Sequence, residues 1–357
     1  MKLIDFKYDS RLWDWHLSRL SLNNINLLVG KNATGKSRVI AQIQTLATVI
    51  KANNLDEDGK WHSKFINDKG ETIEYHLNTN ASLRNLDVEE KIWVNDRLVL
   101  DRNQKSTSVF SYTLEKMVTI HPPKSTLVLH ARRDEVEFPF FEELLKWARS
   151  LRYYSFSTLN LKFTGANERT PANTFMQLGK LESENVIKGL VQLGFPIDEI
   201  YLGYDFSSKD PNLKIVEQGI KDHLVENELS QGFYRALTLL IHIESDIELS
   251  KDYKEYAVST IMIDDLGEGL DYERATKLGK LLVEKLENSN IQFIATSNDS
   301  FLMDVIPIKY WNILRRDGNT VSSLNYQNSK ERFDKFLMTG LSNFDLFSSN
   351  YLMRPKP

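Results

Sequence analysis

Gly30-Lys31-Asn32-Ala33-Thr34-Gly35-Lys36-Ser37 satisfies the pattern G-x-x-x-x-G-K-[ST] at every specified position. Its glycines let backbone N–H groups curl around phosphate oxygens. A helix starting where the loop ends adds the positive end of its dipole. Lys36 is spaced to reach the β- and γ-phosphates of a nucleoside triphosphate, and the Ser37 hydroxyl to ligate Mg²⁺. The candidate nucleotide-binding residues here are therefore Gly30, Lys31, Asn32, Ala33, Thr34, Gly35, Lys36, Ser37 and Arg38. A second anchor is Val258-Ser259-Thr260-Ile261-Met262-Ile263-Asp264-Asp265. An apolar strand delivering a carboxylate at its C-terminal end is how P-loop proteins hold Mg²⁺. Asp264 is the candidate metal ligand with Ser37, and Asp265 is placed to polarise an attacking water. Lys36 and Asp265 are thus the catalytic candidates. The third piece is Leu229-Ser230-Gln231-Gly232. A hydroxyl and free N–H groups at a helix N-terminus bind phosphate. From these residues alone, a plain serine N-cap on a core helix reads equally well.

Apolar periodicity predicts the elements that position these groups. Ile25 to Val29 reads as a buried strand, and Val39, Ile40, Ile43, Leu46, Ala47 and Ile50 fall at helical spacing after the loop. Ala236, Leu237, Leu239, Leu240, Ile241 and Ile243 predict a buried helix after Ser230. Short alternating runs predict an antiparallel sheet between residues 60 and 130: Ile73 to Leu77, Ile92 to Val94, Arg97 to Leu100, Ser108 to Tyr112 and Thr126 to Leu129. Phe141 to Ser150, Ser183 to Leu193 and Tyr272 to Glu287 read as helices, and Thr164 to Asn173 as a loop. Arg315 to Asn319 reads as the turn of a hairpin.

Composition narrows the function classes. The chain has 357 residues, a net charge of −4 and no cysteine. Disulfides, thiolate metal sites and cysteine nucleophiles are excluded. The histidines show no metal-ligand spacing. No apolar run approaches the ~18 residues of a membrane span, and the N-terminus is not a secretory signal. A cytoplasmic protein with no membrane partner is the expectation. An acidic chain offers no whole-surface attraction for nucleic acid. The basic clusters Lys146 to Arg149 with Arg152, and Arg315-Arg316, read as solvated faces. Trp13 and Trp15 read more simply as core than as an adenine stack. The aromatic tail from Phe333 to Phe347 folds back by default, with a partner-docking surface as the sharper reading.

With these residues in view, Glu228-Leu229-Ser230-Gln231-Gly232-Phe233-Tyr234-Arg235-Ala236-Leu237 resembles the signature sequence of ABC-type ATPases. In such proteins that helix faces the P-loop of the opposite subunit. The resemblance implies a homodimer with ATP sandwiched between subunits, with Ser230, Gln231 and Gly232 completing the partner's site. Gly269-Leu270-Asp271 resembles the loop that crosses the dimer interface, which adds Asp271 to the nucleotide-binding candidates. Ile291 to Asp299 resembles the next strand and its switch loop, which adds Asn298. The likeness runs to bacterial AAA-family ATPases with SMC/RecF-like ABC heads, many of which occur in phage-defence systems.

That likeness implies an α/β P-loop NTPase fold with a two-lobed ABC-type head: a mixed sheet around the P-loop helix, an antiparallel sheet and a helical lid. The implied domains are 1–135 with the P-loop, 136–198 as lid or connector, and 199–357 with the signature helix, acidic strand and tail. No heptad repeat is sustained in the connector, so a compact RecF-like lid is expected rather than a coiled coil. ATP and Mg²⁺ are the implied cofactors, and ATP hydrolysis the implied activity. DNA transactions or anti-phage defence are the implied setting, with a separately encoded effector protein and DNA as further partners. Some related heads carry a C-terminal Toprim nuclease; such a domain is not expected in the stretch after the switch strand here.

Two positions depart from that pattern. Asp265 stands where such ATPases have Glu, one methylene longer, so an in-line water is held less well. The switch stretch Thr296-Ser297-Asn298-Asp299 contains no His. Ser297 or Asn298 can hydrogen-bond a γ-phosphate but carry no titrating proton; alternatively they cap the next helix. Both departures predict slow hydrolysis and a long-lived closed dimer. A nucleotide-gated scaffold with negligible turnover is the competing reading. A membrane-transporter subunit is disfavoured by the long β-rich stretch between P-loop and signature. No convincing Gln-containing Mg²⁺-sensing loop is evident, although Leu127 to Asp134 occupies a plausible place for one.

Overall fold

The structure, a computed structural model, describes residues 1–80, 87–156, 170–204, 211–251 and 258–349. The chain opens with strands β1 (Lys2–Asp9), β2 (His16–Ser21) and β3 (Ile25–Val29), then helix α1 (Lys36–Ala52). Strands β4 (Gly59–Ile66), β5 (Thr72–Asn80), β6 (Asp87–Val94), β7 (Arg97–Arg102), β8 (Thr107–Ser111) and β9 (Lys116–Ile120) follow. Next come α2 (Val128–Ala131), α3 (Pro139–Ser150), β10 (Leu151–Ser155), α4 (Pro171–Met176) and α5 (Lys180–Gln192). A meander of β11 (Ile197–Tyr204), β12 (Pro211–Glu217) and β13 (His223–Val225) leads to the long α6 (Gln231–Lys251). Then come β14 (Thr260–Asp264), α7 (Tyr272–Glu287), β15 (Gln292–Thr296) and α8 (Ser300–Val305). The hairpin β16 (Trp311–Asp317) and β17 (Thr320–Asn325), with α9 (Tyr326–Leu337) and α10 (Asn343–Ser348), completes the described chain. Among the described residues no helix is long and apolar enough to cross a membrane.

Two compact units form: Met1–Leu151 with Ile308–Thr339, and Arg152–Pro307 with the segment from Gly340. In the first, strands run in the order β3-β16-β17-β2-β1-β4-β5-β6-β7-β8-β9. β3 is buried at all five positions, as a strand covered on both faces must be. β4 and β5 instead alternate buried with more exposed residues along their length. The antiparallel strands expected as a sheet of their own are continuous with the P-loop strand, because β1 pairs with both β2 and β4. β16 pairs in parallel with β3, Trp311 opposite Leu27. The C-terminal hairpin is therefore part of the first unit's sheet, a long-range pairing that chain order does not reveal. α3 packs on α1 through its apolar face, and Trp147 meets Phe65 edge-on, ring centroids 4.7 Å apart.

Thr126 to Leu129, expected as a strand, instead leads into the one-turn helix α2, which begins at Val128. Its backbone donors are taken by side chains: Asn53 Oδ1 accepts from Leu127 N and the fully buried Glu90 from Val128 N. Glu90 also accepts from Arg102, whose guanidinium donates to the carbonyls of Pro123, Lys124 and Thr126. Burial pushes the Glu90 carboxyl up, opposed by Arg102.

The second unit holds β10-β14-β15 and the separate meander. β14 and β15 pair in parallel and are buried throughout. α6 is buried over most of its length from Phe233 to Asp246, and α5 lies against it. A Cβ on Gly189 would lie 3.1 Å from Leu240 Cδ1, so a glycine permits that close approach. The stretch expected as a helical lid also contains a strand, β10, beside β14. Most of the loop expected over Thr164 to Asn173 lies outside the described residues. From Pro171 the chain is helical, with Thr170 capping Asn173 N and proline at the first turn, where its missing N–H costs nothing. The tail folds back: Asn343 donates to the carbonyls of Asp304 and Ile306, and Leu346 is buried.

Candidate functional site

In the first unit the loop after β3 runs directly into α1. Gly35 is the N-cap of α1 with φ 101°, a left-handed conformation natural to glycine, and Ala33 also has a positive φ, 64°. A Cβ on Gly30 would lie 2.5 Å from Thr34 Oγ1 and 3.1 Å from the Leu314 carbonyl. Thr34 closes the loop by donating through its N and its hydroxyl to the Lys31 carbonyl, at 3.2 and 2.8 Å. Lys36 is only 5% exposed, and its ammonium donates to the carbonyls of Gly30 (2.8 Å) and Lys31 (3.4 Å). The Lys31, Asn32, Ala33, Ser37 and Arg38 residues are exposed, and no acidic residue occupies the first turn of α1. Trp15 is buried against Gly35, and the Arg38 guanidinium lies 5.3 Å from its ring centroid. Trp13 is exposed, so of the two tryptophans only Trp15 is core.

In the second unit β14 ends on Asp264, 7% exposed, whose Oδ1 accepts from Thr296 Oγ1 at 2.5 Å. The same hydroxyl accepts from Asp265 N (2.8 Å), and the Thr296 carbonyl from Leu266 N (2.8 Å). Thr296 therefore fixes both acidic residues from the neighbouring strand. Asp265 turns the chain with φ 56° and lines a cleft of about 350 Å³ with Leu266, Glu268, Gly269, Asn298 and Asp299. Asn298 is exposed there. Ser297 is fully buried, its hydroxyl donating to the Leu266 carbonyl and accepting from Asp299 N, while Asp299 caps α8. Ser297 thus ties the switch loop to the turn after β14, and of that pair Asn298 lines the cleft. Tyr153, on β10, is pushed up to about 12 by burial and by the charges of Asp264 and Asp265.

Ser230 and Gln231 are exposed at the start of α6, with the Ser230 hydroxyl accepting from Phe233 N at 3.4 Å. Asp271 caps α7 through Arg274 N and pairs with the Arg274 guanidinium. The hydrogen bond from Arg274 N, with that pairing, holds its carboxyl below the usual range. Arg235, buried on α6, donates to the Glu268 carbonyl at 2.8 Å and so pins the turn after β14. Gly232 is packed against that turn: a Cβ there would lie 2.8 Å from the Gly269 carbonyl oxygen. Gly232→Ala should lower stability by about 1–2 kcal/mol, because backbone must shift to admit the methyl. Urea unfolding checks this; an unchanged midpoint would mean that the turn is loose.

Gly30 to Arg38 thus lie in the first unit, and Ser230, Gln231, Gly232, Asp264, Asp265, Asp271 and Asn298 in the second. Within the second, Asp265 and Asn298 share one cleft, and Gly232 meets the turn leading to it. Sequence reasoning did not single out the roles of Thr296, Arg235 and Tyr153. The first depends on the register of β14 against β15, and the other two on contacts distant in the chain. Leu127 to Asp134 lies in the first unit, where His130 bonds the Ile50 carbonyl.

No family model matches the chain, and no curated protein matches it. Solved structures do match in fold. One is an Smc head bound to the C-terminal winged-helix domain of ScpA: TM-score 0.56, 11% identity, over 91% of this chain and 98% of that one. Another is an Smc head domain with an extended coiled coil bound to the C-terminal domain of ScpA, derived from Pyrococcus furiosus: TM-score 0.53, 10% identity, over 94% and 99%. The chain therefore has a mixed α/β fold similar to that of SMC head domains.

Proposed function

We propose that this chain is an ATP-binding, slowly hydrolysing ATPase with an ABC-type head, which dimerises on ATP and controls a separate effector protein in DNA transactions or anti-phage defence. The observation that carries the reading is the loop around Lys36. A buried ammonium folded onto loop carbonyls, directly after the left-handed Gly35 at the start of α1, suits a polyanion. The residues also suit Mg²⁺. Among the described residues no cluster of three or more His, Cys, Asp or Glu could hold a metal. Mg²⁺ with ATP needs none, since one or two protein oxygens join phosphate and water around it. The exposed Ser37 hydroxyl and the Asp264 carboxylate, one oxygen fixed by Thr296, are the proposed ligands. When bound, Mg²⁺ neutralises charge building on the β- and γ-phosphate oxygens.

In this reading Gly30 to Arg38 bind the phosphates, Lys36 stabilises transferring charge, and Asp265 polarises water. Asn298 meets the γ-phosphate from the cleft, Ser230 to Gly232 complete the partner's site, and Asp271 lies at the crossing. The exposed start of α6 supports the composite site. Asp271 also caps α7 and pairs with Arg274, which orders the crossing loop from which it would meet nucleotide. The ScpA-bound heads with similar folds support a protein effector by analogy. A second reading, a nucleotide-gated scaffold, is favoured by Ser297, whose hydroxyl is spent within the protein and leaves the switch loop one amide for the γ-phosphate. ATP turnover by the purified chain separates the two: Mg²⁺-dependent phosphate release supports the enzyme, and binding without release supports the scaffold.

A further inference from the structure

We propose that Tyr153 and Ser155, on one face of β10, are positioning residues that complete the water site at Asp264 and Asp265. The inference deepens the ATPase reading and rests on it. Phe156 N donates to the Asp264 carbonyl at 2.9 Å, so the end of β10 lies level with the acidic end of β14. Side chains alternate along a strand. Tyr154 and Phe156 are buried, and Tyr154 stacks on His242 of α6 and bonds Asp246. Tyr153 and Ser155 therefore share the opposite face, where the Tyr153 hydroxyl is hydrogen-bonded to Ser155 and lies in the field of both carboxylates.

The chemistry calls for such donors. Carboxylates only accept hydrogen bonds, and a water aimed at phosphorus needs a second group to set its orientation. The switch stretch supplies no imidazole, and Ser297 is occupied. In the proposed hydrolysis the water oxygen bonds the γ-phosphorus as the bridge to the β-phosphate breaks. The water proton passes to Asp265, and ADP and phosphate leave. Two neutral hydroxyls beside Asp265 hold that water without adding negative charge near the phosphates.

Tyr153→Phe and Ser155→Ala test this. Tyr153→Phe keeps the ring and removes only the hydroxyl. Four quantities are read: kcat and KM for Mg-ATP, the Kd for a non-hydrolysable ATP analogue, and the Kd for ADP with vanadate, a mimic of the transferring phosphoryl group. Each variant should lower kcat about tenfold and weaken ADP–vanadate to match, with KM and analogue Kd within twofold of wild type. Ser155→Thr should restore both. If ADP–vanadate affinity is unchanged in Tyr153→Phe, the proposal is overturned while the ATPase reading stands. The proposal is likewise overturned if analogue and vanadate affinities fall together with the unfolding midpoint, which marks a structural role. If wild type binds neither ligand, both fail. The vanadate measurement decides the matter even where turnover is too slow to follow.

Discussion

Lys36→Ala is expected to weaken Mg-ATP binding by about 3 kcal/mol, a little over a hundredfold in Kd. Lys36 is 5% exposed, and its ammonium shares its protons with two neutral carbonyls, Gly30 and Lys31. A phosphate oxygen carries full charge and competes for those protons as a much stronger acceptor. Alanine is a good helix former, so α1 should keep its first turn and the stability cost should stay below the binding cost. Lys36→Arg should not rescue binding, because a planar fork cannot point one compact charge into the same loop. Titration calorimetry reads the difference. Binding within threefold of wild type would remove the P-loop as the phosphate site.

Asp265→Asn should lower kcat for ATP about a hundredfold and leave the Kd of a non-hydrolysable analogue within twofold. Asn tolerates the left-handed backbone seen at Asp265, so the substitution removes charge and little else. The expected loss sits at the low end of the range for a general base, since an aspartate holds its water less closely than a glutamate. The backbone there is tied by Thr296 to both Asp265 and Leu266, so the shorter carboxylate has little freedom to compensate. Equal, slow turnover in wild type and variant would defeat the enzyme and leave the nucleotide-gated scaffold.

What the sequence revealed and what it hid divide by range of interaction. Ile25 to Val29, Val39 to Ile50 and Tyr272 to Glu287 carry local signals in apolar spacing, and β3, α1 and α7 form over those residues. Thr126 to Leu129 has the spacing of a strand, but Asn53 and Glu90, distant in the chain, capture its backbone donors and wind it into a turn of helix. The pairing of β16 with β3 is a parallel contact across most of the chain's length, with no local signature. At the site, the residue types at Gly30 to Ser37 and Asp264-Asp265 marked phosphate and metal chemistry. The hydrogen bonds that spend Ser297 on Leu266 and fix Asp264 through Thr296 depend on strand register, which composition does not encode.

The central claim is that one ATP site is finished by a second copy of the chain. Sedimentation velocity, run with and without Mg²⁺ and a non-hydrolysable ATP analogue, tests it most directly. Wild type should sediment as a monomer without nucleotide and as a dimer with it. Ser230→Arg should stay monomeric while binding the analogue normally, since Ser230 is exposed at the start of α6 and far in sequence from its own P-loop. A monomer in every nucleotide condition, or a Ser230→Arg protein that dimerises like wild type, would contradict the account.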